Sequence, residues 1–329
     1  MLTPPFSGID HIRKENFSSE ALCLYLFQRS HNGVYHRFCG QLNLPPPTAI
    51  SQIPFLPISF FKTHRLVTGA GQPQISFTSS GTTGTATSTH HLVHASVYEQ
   101  SFRTAFEKFY GPVTDWCILG LLPAYLERSG SSLVYMVDRL IQESGHPESG
   151  FFLHDQDRLA HTLTQLESRG QKSLLIGVTY ALLDFAHHFP MRLKYTTVME
   201  TGGMKGRRKE LLREEVHKQL KAAFGLTHIH SEYGMTELLS QAYAKANGRF
   251  SCPPWMQVLV RSEDDPLLCL KPPAHGTLTG ALNIIDLANI WSAAFIATDD
   301  LGKLYPDGSF EVLGRLDNSD VRGCSLLAV

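Results

Sequence analysis

Thr78-Ser79-Ser80-Gly81-Thr82-Thr83-Gly84-Thr85 sets six hydroxyls and two glycines directly behind the short run Ile75-Ser76-Phe77-Thr78. The run has the β-branched and aromatic content of a strand, and Val93 to Tyr110 returns to helical character, so the pattern predicts strand, loop, helix. Glycine lets backbone N–H groups approach an anion closely, and hydroxyls supply donors that can follow a phosphate as it departs. The loop therefore suits phosphate. A flexible linker of similar composition is not normally embedded between a strand and a helix. The Gly-Lys-Ser/Thr ending of a Walker A loop is missing, which disfavours a kinase or P-loop ATPase.

Outward from this loop, Asn16 to Arg29 mixes apolar and polar residues as a helix does, whereas the prolines between Leu42 and Pro57 require an extended connection. Cys117 to Leu122 and Leu174 to Val178 are apolar runs of buried-strand length, each followed by a stretch able to form a helix, which predicts parallel pairing. Between Glu210 and Phe224, residues Leu212, Val216, Leu220, Ala223 and Phe224 fall on one face of a surface helix. From Gly276 onward, short apolar segments alternate with tight-turn sequences. The expected class is α/β, with helices packed on mostly parallel sheets and a β-rich C-terminal part.

With 29 Lys and Arg against 30 Asp and Glu, no global field draws the 329-residue chain to nucleic acid or an anionic bilayer. The longest apolar stretch, Trp116 to Leu126, is interrupted by Pro123 and too short to span a bilayer as a helix. The first residues show no secretory signal, so the expected location is cytoplasmic. No cysteine pair has metal-ligand spacing, which predicts no structural metal. The six cysteines are expected to be free thiols, five of them small buried hydrophobes.

Three ordered segments carry a resemblance: Ser80-Gly81-Thr82-Thr83-Gly84, Tyr233-Gly234-Met235-Thr236-Glu237, and Thr298-Asp299-Asp300-Leu301-Gly302 with Gly314-Arg315-Leu316-Asp317. Together they resemble the motifs of the adenylate-forming superfamily, which includes acyl-CoA synthetases and adenylation domains. The resemblance implies that superfamily's large N-terminal domain over residues 1–313, with a hinge-like segment and short tail over 314–329. It implies ATP and Mg²⁺ as cofactors, with Glu237 as metal ligand, Thr236 on the α-phosphate and Tyr233 stacked on adenine. Asp300 would hold the ribose hydroxyls and Arg315 would add a cation. Thr78, Ser79, Ser80, Gly81, Thr82, Thr83, Gly84, Gly202, Gly203, Gly234 and Met235 would complete the nucleotide site. The chain departs from the pattern where Ala86-Thr87 replaces the usual Pro-Lys, leaving Lys205, Arg207 and Arg208 as candidate cations, Lys205 first. It also stops at Val329, twelve residues after Asp317, where superfamily members continue into a mobile lid bearing a catalytic lysine.

A lidless layout of this kind is similar to the acyl-protein synthetases of bacterial luminescence. The likeness extends to Ile53–Lys62, to Tyr125–Ser132 and to Arg322-Gly323-Cys324-Ser325. It implies ATP-dependent activation of a carboxylic acid, of the fatty type, transfer to Cys324 with Arg322 favouring the thiolate, and delivery to a partner such as an acyl-CoA reductase. Two other readings stand beside it: an acyl- or aryl-CoA or carrier-protein ligase using an external thiol, and a noncatalytic nucleotide-binding scaffold. The apolar pair of segments Leu174–Val178 and Thr179–Leu183 could wall an acyl channel but reads better as buried core.

Overall fold

The computed structural model describes residues 2–6, 8–79, 87–124, 127–128, 130–202, 212–271 and 276–316. In chain order its elements are α1 (Phe17–His31), α2 (Gly33–Leu42), β1 (Leu56–Pro57), α3 (Phe60–Thr63), β2 (Ile75–Thr78), β3 (Thr89–Leu92) and α4 (Ala95–Tyr110). There follow β4 (Cys117–Leu121), α5 (Ser132–Ser144), β5 (Gly150–Phe151), α6 (Gln156–Arg169), β6 (Ser173–Val178), α7 (Thr179–His188) and β7 (Thr196–Thr201). The last are α8 (Arg213–Phe224), β8 (His230–Tyr233), β9 (Ala242–Ala244), β10 (Met256–Arg261), β11 (Leu278–Asp286), β12 (Phe295–Leu304) and β13 (Phe310–Arg315).

The apolar runs behave as their composition predicts. β4 and β6 pair in parallel within a six-stranded sheet of order β5-β4-β6-β7-β8-β9, in which only β9 runs antiparallel. Both faces are covered. Cys117, Leu119 and Leu121 of β4 point into one apolar cluster with residues of α6, α7 and α8, while Ile118 points into the other with residues of α1, α4 and α5. This two-sided burial is why β4 and β6 are unbroken apolar runs and not alternating ones. Leu174, Leu175, Ile176, Leu182 and Leu183 are all buried, so the segment considered for an acyl channel is core.

Helix ends follow local chemistry. The Asn32 side chain accepts from the N–H groups of Val34 and Tyr35 to open α2, and the Asp155 side chain accepts from Arg158 N–H to open α6. α8 begins at Arg213 and buries Val216, His217, Leu220 and Phe224. Leu212, expected on its buried face, stands just ahead of the helix and is largely exposed, because the apolar stripe starts one turn later.

The C-terminal strands form a second sheet of order β1-β12-β11-β10, with β13 pairing β12 farther along the edge that β1 occupies, opposite β11. Its pairs are antiparallel except β1 with β12, where Leu56 lies beside Ile296. The proline-rich connection thus contributes a short strand that its composition concealed. Around the Ser/Thr/Gly loop the order is strand, loop, strand: β3 pairs antiparallel with β2 before α4 begins. The local run Thr89-His90-His91-Leu92 alternates burial as a half-covered strand does, which overturns the expectation of a loop leading straight into a helix. Among the described cysteines all are free, but Cys23 is exposed and Cys252 half-buried, so fewer are buried hydrophobes than expected. Ser80, Gly81, Thr82, Thr83, Gly84, Gly203, Lys205 and Cys324 lie outside the described residues.

Candidate active site

The mouth of the β2–β3 hairpin is closed by backbone and side-chain bonds. Ser79 N–H donates to Ser88 C=O at 2.9 Å, and Ser88 N–H donates to Ser79 Oγ at 3.0 Å. Thr78, the last residue of β2, is exposed and donates its N–H to Gly130 C=O at 2.7 Å. Two residues beyond Ser88's side of the mouth, His90 is fully buried and reaches Thr236 C=O with Nδ1 at 2.8 Å. The hairpin bearing the hydroxyl-rich loop is thereby joined to the Tyr-Gly-Met-Thr-Glu segment, 146 positions away.

That segment leaves β8 as a turn. Gly234 is exposed, Met235 and Thr236 are half-buried and Glu237 is buried. Burial raises the Glu237 carboxyl above the usual range, and the Ser88 hydroxyl and Glu237's own N–H, both donors, offset part of the rise. The backbone here is held by buried polar side chains. Asp286 Oδ2 accepts from Leu239 N–H at 2.8 Å and Ser240 N–H at 3.0 Å, and its Oδ1 accepts from Ala288 N–H at 3.1 Å. Asn289 Nδ2 donates to Glu237 C=O at 2.9 Å. Each such bond contributes about 1 kcal/mol when made and costs more when one partner is stranded.

Tyr233, Asp300 and Arg315 meet as the motifs require, but with a division of labour the sequence did not suggest. Asp300 and Arg315 are cross-strand partners on β12 and β13. Tyr233 donates its hydroxyl to Asp300 Oδ2 at 2.7 Å, while Arg315 Nε stands 3.6 Å from Oδ1 on a side chain 81% exposed. The Tyr233 ring is buried and packs at 5.3 Å against Phe310 and 5.7 Å against Phe250. Through its hydroxyl it tethers Asp300. Burial raises the Asp300 carboxyl, with the Tyr233 hydroxyl and then Arg315 opposing the rise.

Beneath Gly202, whose φ of 69° favours glycine, Thr179 Oγ1 donates to Gly202 C=O at 2.8 Å and lies 3.2 Å from Glu200 Oε2. Burial pushes Glu200 up, yet His217 and Arg213 beside it hold its carboxyl below the usual range, Arg213 Nε being 3.1 Å from Oε1. Glu232, one residue ahead of the motif, is pushed up to about 7 by burial, with the Thr201 hydroxyl opposing and Glu200 adding. A Cβ on Gly234 would sit 2.4 Å from Glu232 Oε1, so glycine is what leaves that carboxylate its place. Glu200, Glu232, His90, Asp286 and Asn289 were all missed in the sequence. The available signal was positional: Glu200 and Glu232 stand next to last in β7 and β8, just before Thr201-Gly202 and Tyr233-Gly234.

The carboxylates suit a hard divalent cation. Glu237 is buried, and among the described residues no charged partner stands at bonding distance from it and no three His, Cys, Asp or Glu converge as a cage. Mg²⁺ characteristically uses one or two carboxylates and completes its shell with water and phosphate, so this donor set fits it.

The arrangement, a mostly parallel sheet with Gly202 and the Tyr-Gly turn at its strand ends, beside the β2–β3 hairpin and a β-rich C-terminal sheet, defines the adenylate-forming fold. Among solved structures the chain is similar to ATP-bound MatB from Rhodopseudomonas palustris, with 18% identity, TM-score 0.54, 75% of this chain and 49% of that one. It is also similar to O-succinylbenzoate coenzyme A synthetase MenE from Bacillus subtilis in complex with ATP and magnesium ion, with 15% identity, TM-score 0.51, 73% of this chain and 49% of that one. For 2-hydroxyisobutyryl-CoA ligase in the postadenylation state the values are 10% identity, TM-score 0.65, and 93% and 68% coverage. The chain spans about half the length of the first two, and at these identities the likeness establishes the fold. Curated proteins offer no match. The family model described as "Acyl-protein synthetase, LuxE" matches residues 9–328, and the chain belongs to that family. Among the described residues no helix is long and apolar enough to cross a membrane.

Proposed function

We propose that this chain activates a carboxylic acid with MgATP and carries the acyl group on Cys324 for delivery to a partner protein. The acid's carboxylate oxygen attacks the α-phosphorus of ATP, forming the mixed anhydride and releasing pyrophosphate. The Cys324 thiolate, its proton given up to solvent, then attacks the acyl carbon, and AMP leaves. Glu237 would hold Mg²⁺ beside the nucleotide phosphates, where the bound ion would supply positive charge against the repulsion between the two anions. Thr236 would donate to the α-phosphate and Asp300 would accept from ribose hydroxyls, with Arg315 adding a cation on the open side. The 80–86 loop would supply hydroxyls and N–H groups to the phosphates.

The observation that carries this reading is the 2.8 Å bond from His90 Nδ1 to Thr236 C=O, which joins the hairpin of the hydroxyl-rich loop to the motif ending in the buried Glu237, in a chain of the acyl-protein synthetase family. An acyl-CoA reductase is the partner class expected, since a protein thioester suits reduction to an aldehyde. Intact-protein mass spectrometry after incubation with MgATP and a panel of fatty and aromatic acids tests the reading. A hydroxylamine-labile acyl mass that maps to Cys324 and vanishes in Cys324→Ser supports it. Thioester formation on an external thiol that survives Cys324→Ser would replace it with a ligase of the CoA type. Nucleotide binding without pyrophosphate exchange for any acid would leave a scaffold.

A further inference from the structure

The geometry assigns His90 a positioning role: through Thr236 C=O it fixes the peptide plane that aims the Glu237 carboxylate at the metal–phosphate site. This rests on the reading of Glu237 as the Mg²⁺ ligand.

A carbonyl oxygen can only accept, so Nδ1 of His90 carries the proton in its 2.8 Å bond to Thr236 C=O. Nε2 then accepts, and Ser292 Oγ, 2.8 Å away, donates to it, while Ser292 Oγ itself accepts from Ala293 N–H at 2.6 Å. The ring has no freedom to turn over without breaking both bonds, and at 0% exposure no water replaces them. Phe61 packs edge-on against it at 5.3 Å.

The consequence for Glu237 follows from peptide planarity. In a trans peptide the C=O of Thr236 and the N–H of Glu237 point in opposite directions. Pinning that carbonyl toward β3 turns the Glu237 N–H the other way, and this N–H is one of the donors to the Glu237 carboxylate. The next peptide plane is held too, by Asn289 Nδ2 on Glu237 C=O at 2.9 Å. The Glu237 backbone is therefore fixed on both sides by buried neutral side chains, leaving the carboxylate as the free charge. Ser88, two residues ahead of His90 and just before β3 begins, adds the second donor. The β3 arm of the hairpin thus holds the backbone of the Glu237 motif, while Ser88 just ahead of it closes the mouth against Ser79.

The test compares His90→Phe, which keeps the ring and loses both bonds, with His90→Asn, whose amide N–H replaces Nδ1–H toward Thr236. Two readouts are taken: the Mg²⁺ concentration for half-maximal ATP–pyrophosphate exchange, and the calorimetric affinity for ATP with Mg²⁺ against ATP in EDTA. Outer partners of metal ligands typically account for about 10–100-fold in metal affinity. His90→Phe should raise the half-saturating Mg²⁺ at least about 10-fold and remove most of the Mg²⁺-dependent gain in ATP affinity, with the KM for the acid within about twofold. His90→Asn should recover most of both. If His90→Phe fails to fold, Ser292→Ala, which removes the Nε2 partner and the acceptor of Ala293 N–H but leaves the bond to Thr236, should shift both readouts in the same direction by less. Mg²⁺ dependence unchanged in a folded His90→Phe, or His90→Asn as impaired as His90→Phe, overturns the positioning role alone. A wild-type chain with neither exchange nor Mg²⁺-dependent ATP binding overturns the functional reading, and this inference with it.

Discussion

The two halves of the candidate nucleotide site are built differently. Around Glu237 the backbone is gripped by His90, Asp286 and Asn289, all fully buried. At Asp300 only one side is fixed, through Tyr233, while Arg315 reaches the other oxygen from a solvent-exposed position on β13. Under the proposed function, rigid placement suits the end where charge would be aimed at a metal and phosphates, and an exposed guanidinium suits the end where a ribose would enter and leave.

The largest effect should come from cutting the grip. Asp286→Ala strands the N–H groups of Leu239, Ser240 and Ala288 in the core and should destabilise the fold by about 3 kcal/mol or more in urea unfolding. Glu237→Gln leaves the backbone bonds intact, so the unfolding midpoint should hold while Mg²⁺-supported exchange falls by about 100-fold or more. Tyr233→Phe frees Asp300 on its buried side and should cost about 1–3 kcal/mol in stability, with a weaker affinity for ATP. Arg315→Ala should change stability by under about 0.5 kcal/mol, because an exposed ion pair contributes little, yet weaken ATP binding in a salt-dependent manner. Stability effects as large at Arg315 as at Asp286 would erase the contrast between the halves.

A pH series sharpens it further. Burial lowers His90 and His230 to about 4, so the unfolded chain takes up their protons first as pH falls below 6.5 and stability is lost toward 4. Glu232, raised to about 7, acts in the opposite sense: the folded state holds its proton between about 4.5 and 7, and its contribution is lost as pH rises through that window. Glu232→Gln should therefore steepen the loss of stability between pH 6.5 and 4.5 by about 1.4 kcal/mol per pH unit, measured by urea unfolding at fixed salt.

Much of the fold could be read from apolar periodicity. Ile75–Thr78 and the strands after Gly276 were visible because run length and turn residues carry the signal locally. β1 and β3 were not: Leu56-Pro57 is too short and proline-bearing, and Thr89–Leu92 hides two histidines in a strand. The motif residues of the site were legible because their order and spacing are unusual. What holds them was not, since His90, Asp286 and Asn289 act through backbone groups brought close only by the fold, and a buried neutral histidine has the same letter as an exposed one. Tyr233 shows the limit within a motif, where the hydroxyl bond to Asp300 depends on packing that the residue type does not reveal.

The pairing of Leu56 with Ile296 has a consequence for biogenesis. A strand made early in synthesis must wait for a partner emitted about 240 positions later, so the second sheet cannot close while the polypeptide is still being translated through its middle. Long-range closure of this kind is slow and leaves edges bare in the interval. Dependence on chaperones during expression, concentrated in that interval, is the expected cost of an architecture that joins its beginning to its end.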